Sequence, residues 1–340
     1  MRPVPADARR SPGPAPAYAH GPASGTAYGL ASGPAPDPAP DLARRATADP
    51  LFRLAAYALE AAHGRRPAAV WSAPHAFRLG PAPGPERVAA AGWPVAAAAA
   101  PREDGLVRLS SLSHPAHSCD LPLALDGPPP DGIPDWAART YALLRALARA
   151  GHGRGGTDLH VQGALTPAAG LATAEPADCA VALAVAGVHG PAGTEPDRAE
   201  LAALLAEALP PGPAGGDDGL RRAVLFARPG RALLLEPGGR RRYVPFDPPG
   251  SGARLVLMAV RGAPADRAAD LGRAVELVRR AGAPAAWAPG RRSGRSVLVL
   301  LPEERVAAVR AGVAADFRGR GRPVPRFLNV PVAGAARREE

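Results

Sequence analysis

Lysine is absent from this chain, so all 41 basic residues are arginine. Isoleucine and asparagine occur once each, as Ile133 and Asn329. With Ala, Arg, Gly and Pro dominant, this is the imprint of a GC-rich coding sequence. It weakens any functional reading of the formal net charge of +10. A basic balance ordinarily points to polyanionic partners. Here the arginines are interspersed with 31 acids, and aromatics make up only 4%, which argues against nucleic acid. The two densest basic stretches, GGRRRY at 238–243 and FRGRGRP at 317–323, read as solvated turns. Two cysteines exclude a disulfide framework. Cys179 falls within an apolar helical run and reads as a buried thiol. No apolar run reaches the roughly 18 residues that a membrane helix needs. The N-terminus has no signal-peptide core, which gives a cytoplasmic expectation. The stretch HPAHSCD offers His114, His117, Cys119 and Asp120. Zinc sites pair two such short clusters, and no second one exists, so this is read as a loop and no metal is expected.

What is present suffices for two modest domains in 340 residues. Gly and Pro together make up about a quarter of the chain, unevenly spread. Residues 1–46 hold little apolar bulk and read as a disordered tail, since they cannot bury enough surface to offset their ordering entropy. Beyond them, DPLFRLAAYALEAAHG carries a helical apolar stripe capped by Asp49 and stopped by Gly64. AAVWSAP reads as a strand. RVAAAGWPVAAAAA is ambiguous in propensity and is assigned as a strand because the turn REDG and the partner strand LVRLSSL follow it. PDWAARTYALLRALARAGHG is an amphipathic helix, and DLHVQGAL is a strand. A glycine-containing turn, GALTPAAGLATAEP, leads into the apolar helix that bears Cys179. DRAELAALLAEAL gives a helix, and PPGPAGGDD a flexible link. RALLLEP and RRYVPF form a hairpin. ARLVLMAV is a strand, DRAADLGRAVELVRRAG a helix, and RSVLVLL, EERVAAVRAGVAADFRGRG and RFLNVPV give strand, helix and strand. The expected class is α+β, with helices covering one face of an antiparallel sheet.

These stretches, in this order, resemble the galactokinases of the GHMP small-molecule kinase superfamily from about residue 47 to 337. The run from WAARTYALL to GVHG is similar to the family's strand, its P-x-G-x-G-L-S-S-S-A turn and the helix after it. GRALLLEPGGRRRYVPFD resembles the family's G-H-A-L-L-L-D hairpin, and VAGAARR its S-A-G-A-R end. The resemblance implies a two-lobed fold. A lobe of the ribosomal-protein domain type would span 47–210, and a shortened ferredoxin-like lobe 211–340. It implies ATP and Mg as co-reactants if activity is retained, with nucleotide and a small sugar as partners.

In that family, ATP phosphates sit on the turn and the following helix N-terminus, where backbone N–H groups and the helix dipole attract anions. Gly170 and Leu171 match this phosphate loop. Ala168 replaces a glycine, and the three serines become Ala172, Thr173 and Ala174. Glu175 puts a carboxylate at the anion's end of the helix. The family's first motif, A-P-G-R-V-N-L-I-G-E-H-T-D-Y, is here APHAFRLGPAPGPE. Ala76 stands at the arginine, Arg78 comes two positions late, and Glu86 is the one acid near the sugar-gripping run. The catalytic Asp of the family aligns without gaps on Leu220. Asp217 and Asp218 lie just upstream, and Asp218 is taken as the candidate base. The third motif, G-G-G-F-G-G, is here GRRSGRS, giving Gly290, Arg291, Arg292, Gly294 and Arg295 as candidates. These departures lead to a galactokinase homologue with an eroded site. The rivals are an active kinase on another substrate, using Asp218, Thr173 and the arginines, and a non-catalytic sensor or interaction protein.

Overall fold

A computed structural model describes residues 49–80, 85–115, 118–171, 173–210, 216–236, 240–290 and 294–339. The tail expected at 1–46 lies outside them. Two sheets organise the rest. The larger contains β1 (Ala69–Arg78), β2 (Glu86–Pro101), β3 (Leu106–Ser110), β4 (Cys119–Pro122) and β5 (Gly156–Gly163). Their order is β1-β2-β5-β3-β4. The pairs are antiparallel except β3 with β5, so the sheet is mixed. β6 (Arg231–Leu235) and β7 (Arg241–Pro245) extend it, with β6 pairing against Glu86, Arg87 and Val88 of β2. The chain returns to the same sheet at its end through β12 (Val332–Ala333) on β2 and β13 (Arg337–Arg338) on β1.

The alanine run is a strand because both of its faces are covered. Successive side chains of a strand point to opposite faces. Ala96, Ala98 and Ala100 pack with Val70 beneath α1 (Pro50–His63). Ala97 and Ala99 face the opposite side. There they meet the cluster of α2 (Asp135–Arg149), α3 (Ala174–His189), α4 (Arg198–Ala208) and α5 (Asp218–Phe226). The expectation that helices cover one face is therefore corrected: α1 takes the other. Alanine lets helices approach closely on both sides. Ser110 Oγ ties α1 to the sheet, 3.1 Å from His63 Nε2 and 2.9 Å from His160 Nδ1. Burial lowers the pKa of both rings, that of His160 to about 4, so both are neutral at pH 7.

The smaller sheet has the order β11-β8-β10-β9, all antiparallel. It comprises β8 (Ala253–Ala259), β9 (Ala285–Trp287), β10 (Ser296–Pro302) and β11 (Arg326–Asn329). Its apolar cluster with α6 (Arg267–Arg280) and α7 (Val306–Gly319) holds Val256, Met258, Val278, Val299, Val313 and Phe317. A third cluster joins the two sheets: Phe77, Ala89 and Ala91 from the first meet Leu255, Leu257 and Leu298 from the second. No helix among the described residues is long and apolar enough to cross a membrane.

Candidate functional site

The site forms where β1 ends, β2 begins and α5 starts. Arg78 is the last residue of β1, Glu86 the first of β2, and Asp217 the N-cap of α5. Arg78 Nη2 and Nε donate to the Asp217 carboxylate at 2.8 and 3.1 Å. Its Nη1 lies 2.5 Å from Glu86 Oε1. The Arg78 backbone is fixed too, because its N–H donates to the Pro289 carbonyl at 2.8 Å and its carbonyl accepts from Trp287 Nε1 at 2.6 Å. Asp217 Oδ1 also accepts from the N–H groups of Gly219 (3.0 Å) and Leu220 (3.3 Å), as a helix cap does.

A second layer of charge lies behind this pair. The Asp217 N–H donates to Glu175 Oε1 at 2.9 Å, and Glu175 is buried in the first turn of α3. Gly216, at φ +90°, has no room for a side chain. A Cβ there would come within 2.9–3.1 Å of Glu175 Oε1, Arg139 Nη2 and Arg221 Nη2. Those arginines share Asp178, with contacts of 2.6 Å from Arg139 Nη2 and 3.3 Å from Arg221 Nε. Arg221 is fully buried and also donates to the Leu209 carbonyl at 2.9 Å. Burial pushes the Glu175 carboxyl above the ordinary glutamate range. A raised folded-state value means that the protonated form is favoured by folding. The stability it contributes is full below the unfolded value and is lost as pH rises through the folded one. Glu175→Gln keeps an acceptor for the Asp217 N–H and removes the titration. Calorimetry should give the variant a higher Tm than the parent at pH 8, with the gain vanishing near pH 4. An unchanged pH dependence contradicts this assignment.

The turn before α3 is docked rather than open. Gly170, at φ +84°, accepts a 2.7 Å hydrogen bond on its carbonyl from Ser296 Oγ, at the start of β10. Leu171 is buried in the cluster between the sheets. Thr173 is the N-cap of α3, yet its side chain makes no cap hydrogen bond. Gly294 lies beside the Gly170 carbonyl, and Arg295 holds Val260 through its own carbonyl at 2.7 Å. Gly290 follows Pro289, which anchors Arg78. Arg291 and Arg292 lie outside the described residues, as do Ala172 and His117. Asp218 points elsewhere, with its Oδ2 2.9 Å from Arg222 Nε, four residues on. His114 stacks on Trp136 with ring centroids 5.2 Å apart.

Sequence reasoning had both members of the central pair in view without pairing them. Ala76 to Arg78 is one strand period, which preserves the face. Leu220 to Asp217 is close to one helical turn. Asp218, two residues from Leu220, is rotated away. Nothing in the sequence motifs singled out Ser296 or Trp287.

No family model matches the chain. Over 166 residues it is 30% identical to the galactokinase of Streptomyces coelicolor, a stretch that is 48% of this chain and 42% of the relative. The chain thus spans less than half the length of that curated relative. Among solved structures, the Lactococcus lactis galactokinase complexed with galactose superposes with a TM-score of 0.64 at 14% identity, covering 83% of this chain and 98% of that one. The chain is thus similar in sequence to a galactokinase over less than half of that protein's length, and it shares the fold of a solved galactokinase. The Methanococcus jannaschii mevalonate kinase gives 0.56 at 12% identity, over 78% of this chain and 98% of that one. A putative sugar kinase from Campylobacter jejuni gives 0.57 at 13%, over 79% and 97%. At these identities the structural likenesses carry the fold alone.

GHMP kinases use ATP with Mg, and the residues here fit that group poorly. Of the first-turn N–H groups of α3, Pro176 has none to offer. The buried Glu175 carboxylate sits in the same turn. At the three positions that resemble the family's serines, Thr173 alone has a hydroxyl.

Proposed function

We propose that this chain is a galactokinase homologue that keeps the GHMP kinase fold while its phosphoryl-transfer site is closed, so that it does not phosphorylate a sugar. The observation that carries the proposal is the state of Asp217. Both of its oxygens are engaged, by the Arg78 guanidinium and by the cap N–H groups of α5. A general base must accept the substrate's proton on a free lone pair within hydrogen-bond reach, and Asp217 has its acceptor sites filled. Phosphoryl transfer also depends on positioning and on neutralising phosphate charge. At the α3 N-terminus, Pro176 has no N–H to give and the Glu175 carboxyl lies in the same turn. With MgATP and a panel of sugars, a coupled ADP-release assay should read background. Turnover that a folded Asp217→Asn variant abolishes would overturn the proposal.

One observation favours an active kinase on a different substrate. Arg78 and Asp217 form a close pair of the residue types that the galactokinase resemblance assigns to catalysis, each displaced by one structural period. On that reading, substrate binding would free Asp217 from Arg78. The same Asp217→Asn comparison, extended to polyols and amino sugars, separates the two.

A further inference from the structure

The β6–β7 hairpin leaves the sheet with an open margin. β6 pairs with β2 and β7, while β7 pairs with β6 and with no other strand among the described residues. An edge strand offers a row of backbone N–H and C=O groups to a further strand, and proteins usually blunt it. Here the stretch 228–247 carries five arginines, at 228, 231, 240, 241 and 242, against two acids, Glu236 and Asp247. Glu236 is 3.3 Å from Arg242. Among the described residues Arg228, Arg231, Arg240 and Arg241 have no carboxylate within ion-pair distance. Two of them are held in place by aromatic rings. The Arg228 guanidinium lies 4.1 Å from the Tyr243 ring centroid, and that of Arg241 lies 3.6 Å from the Phe226 centroid. Tyr243 is itself fixed by its hydroxyl, which donates to the Phe226 carbonyl at 2.8 Å. Guanidiniums stacked in this way lose less freedom on meeting an anion.

We propose that the open edge of β7 docks an extended acidic segment of a partner protein, added as a strand whose carboxylates meet Arg228 and Arg241. Strand addition takes its affinity from main-chain hydrogen bonds and its specificity from alternate side chains. Arg241 and Tyr243 share one face of β7, and Arg242 and Val244 the other. The fitting segment therefore alternates acidic and apolar residues. The charge balance selects an acidic partner, and the covered rings select peptide over nucleic acid. A base stacking on Tyr243 or Phe226 would have to displace the arginine that covers that ring. Leu235 is paired with both Glu86 and Arg241. The docking edge thus lies two strands, about 10 Å, from the Arg78 site.

Fluorescence anisotropy with a labelled peptide of alternating glutamate and valine tests this. The expected result is saturable binding, weakened at least about tenfold in the Arg228→Gln/Arg241→Gln double variant, the equivalent of one charge-assisted contact. The same peptide with alternate amides N-methylated keeps its charge and loses strand pairing, so it should not bind. Both arginines are exposed, and circular dichroism checks that the variant is folded. Absence of saturable binding, equal binding of the N-methylated peptide, no effect of the double variant, or displacement of the peptide by an equally charged oligouridylate would each overturn the proposal.

Discussion

Asp178→Ala should cost about 3–5 kcal/mol of unfolding free energy, the loss typical of breaking a buried ion pair from one side. Asp178 is the carboxylate between Arg139 and Arg221. Arg221 has 0% of its surface exposed. It cannot turn outward to regain water. Without Asp178 it keeps its bonds to backbone carbonyls, which do not neutralise a charge. Arg139 is partly exposed and would relax towards solvent, so Arg221 dominates the loss. The position is in the first half of α3, against the start of α5, so Glu175 and Asp217 would shift with it. Urea denaturation of the parent and the variant measures the effect. A change below about 0.5 kcal/mol, the size of an ordinary surface substitution, would show that the network does not hold this corner together.

Gly170→Ala is expected to cost about 2–5 kcal/mol, from two terms that act together. The φ of +84° lies in the left-handed region, where an L side chain costs about 1–2 kcal/mol. The added Cβ would also stand 2.5 Å from Ser296 Oγ, and forcing an extra carbon into packed structure costs about 1–3 kcal/mol. Ser296 is buried and begins β10, so it has little room to give. The turn and Leu171 would move off the cluster between the sheets. Ser296→Gly removes both the Oγ and the Cβ, which would lie 2.5 and 2.6 Å from the added carbon, while leaving the left-handed strain, so the double variant should recover part of the loss. Urea denaturation reads both. A neutral Gly170→Ala would mean that the turn is not docked on β10.

The helices and strands were legible wherever apolar periodicity was strong. α1, α2, α6 and α7 follow their stripes, and the alanine run of β2 was resolved by the turn and partner strand after it. Pairing order was less accessible. The sequence does not say that α1 lies across the sheet from α3, because alanine serves both faces of β2 equally. α5 was left unassigned beyond a link read over PPGPAGGDD, since its first turn, Asp218–Gly219, reads as loop. That omission moved the candidate base to Asp218. Once α5 is a helix capped by Asp217, the side chain that meets Arg78 is the cap. The third-motif region was legible only in part: Gly294 and Arg295 border Gly170, while the contact that joins the two comes from Ser296. A serine at the head of an apolar strand gives no signal in a single sequence. Glu175 was expected at the anion's end of α3. The structure turns it to the Asp217 N–H, a partner 42 residues away that no local pattern encodes.

The central claim is that α3 no longer receives phosphate and that the Arg78–Asp217 pair is closed. Every kinase role requires nucleotide to bind first, so the direct measurement is isothermal titration of the folded chain with MgATP. Binding to the folded state would also raise the melting temperature with ligand concentration, which supplies a check on the same sample. The account predicts no saturable heat and no shift in Tm at millimolar MgATP. Saturable binding that is lost on Thr173→Ala or Gly170→Ala in folded protein would contradict it.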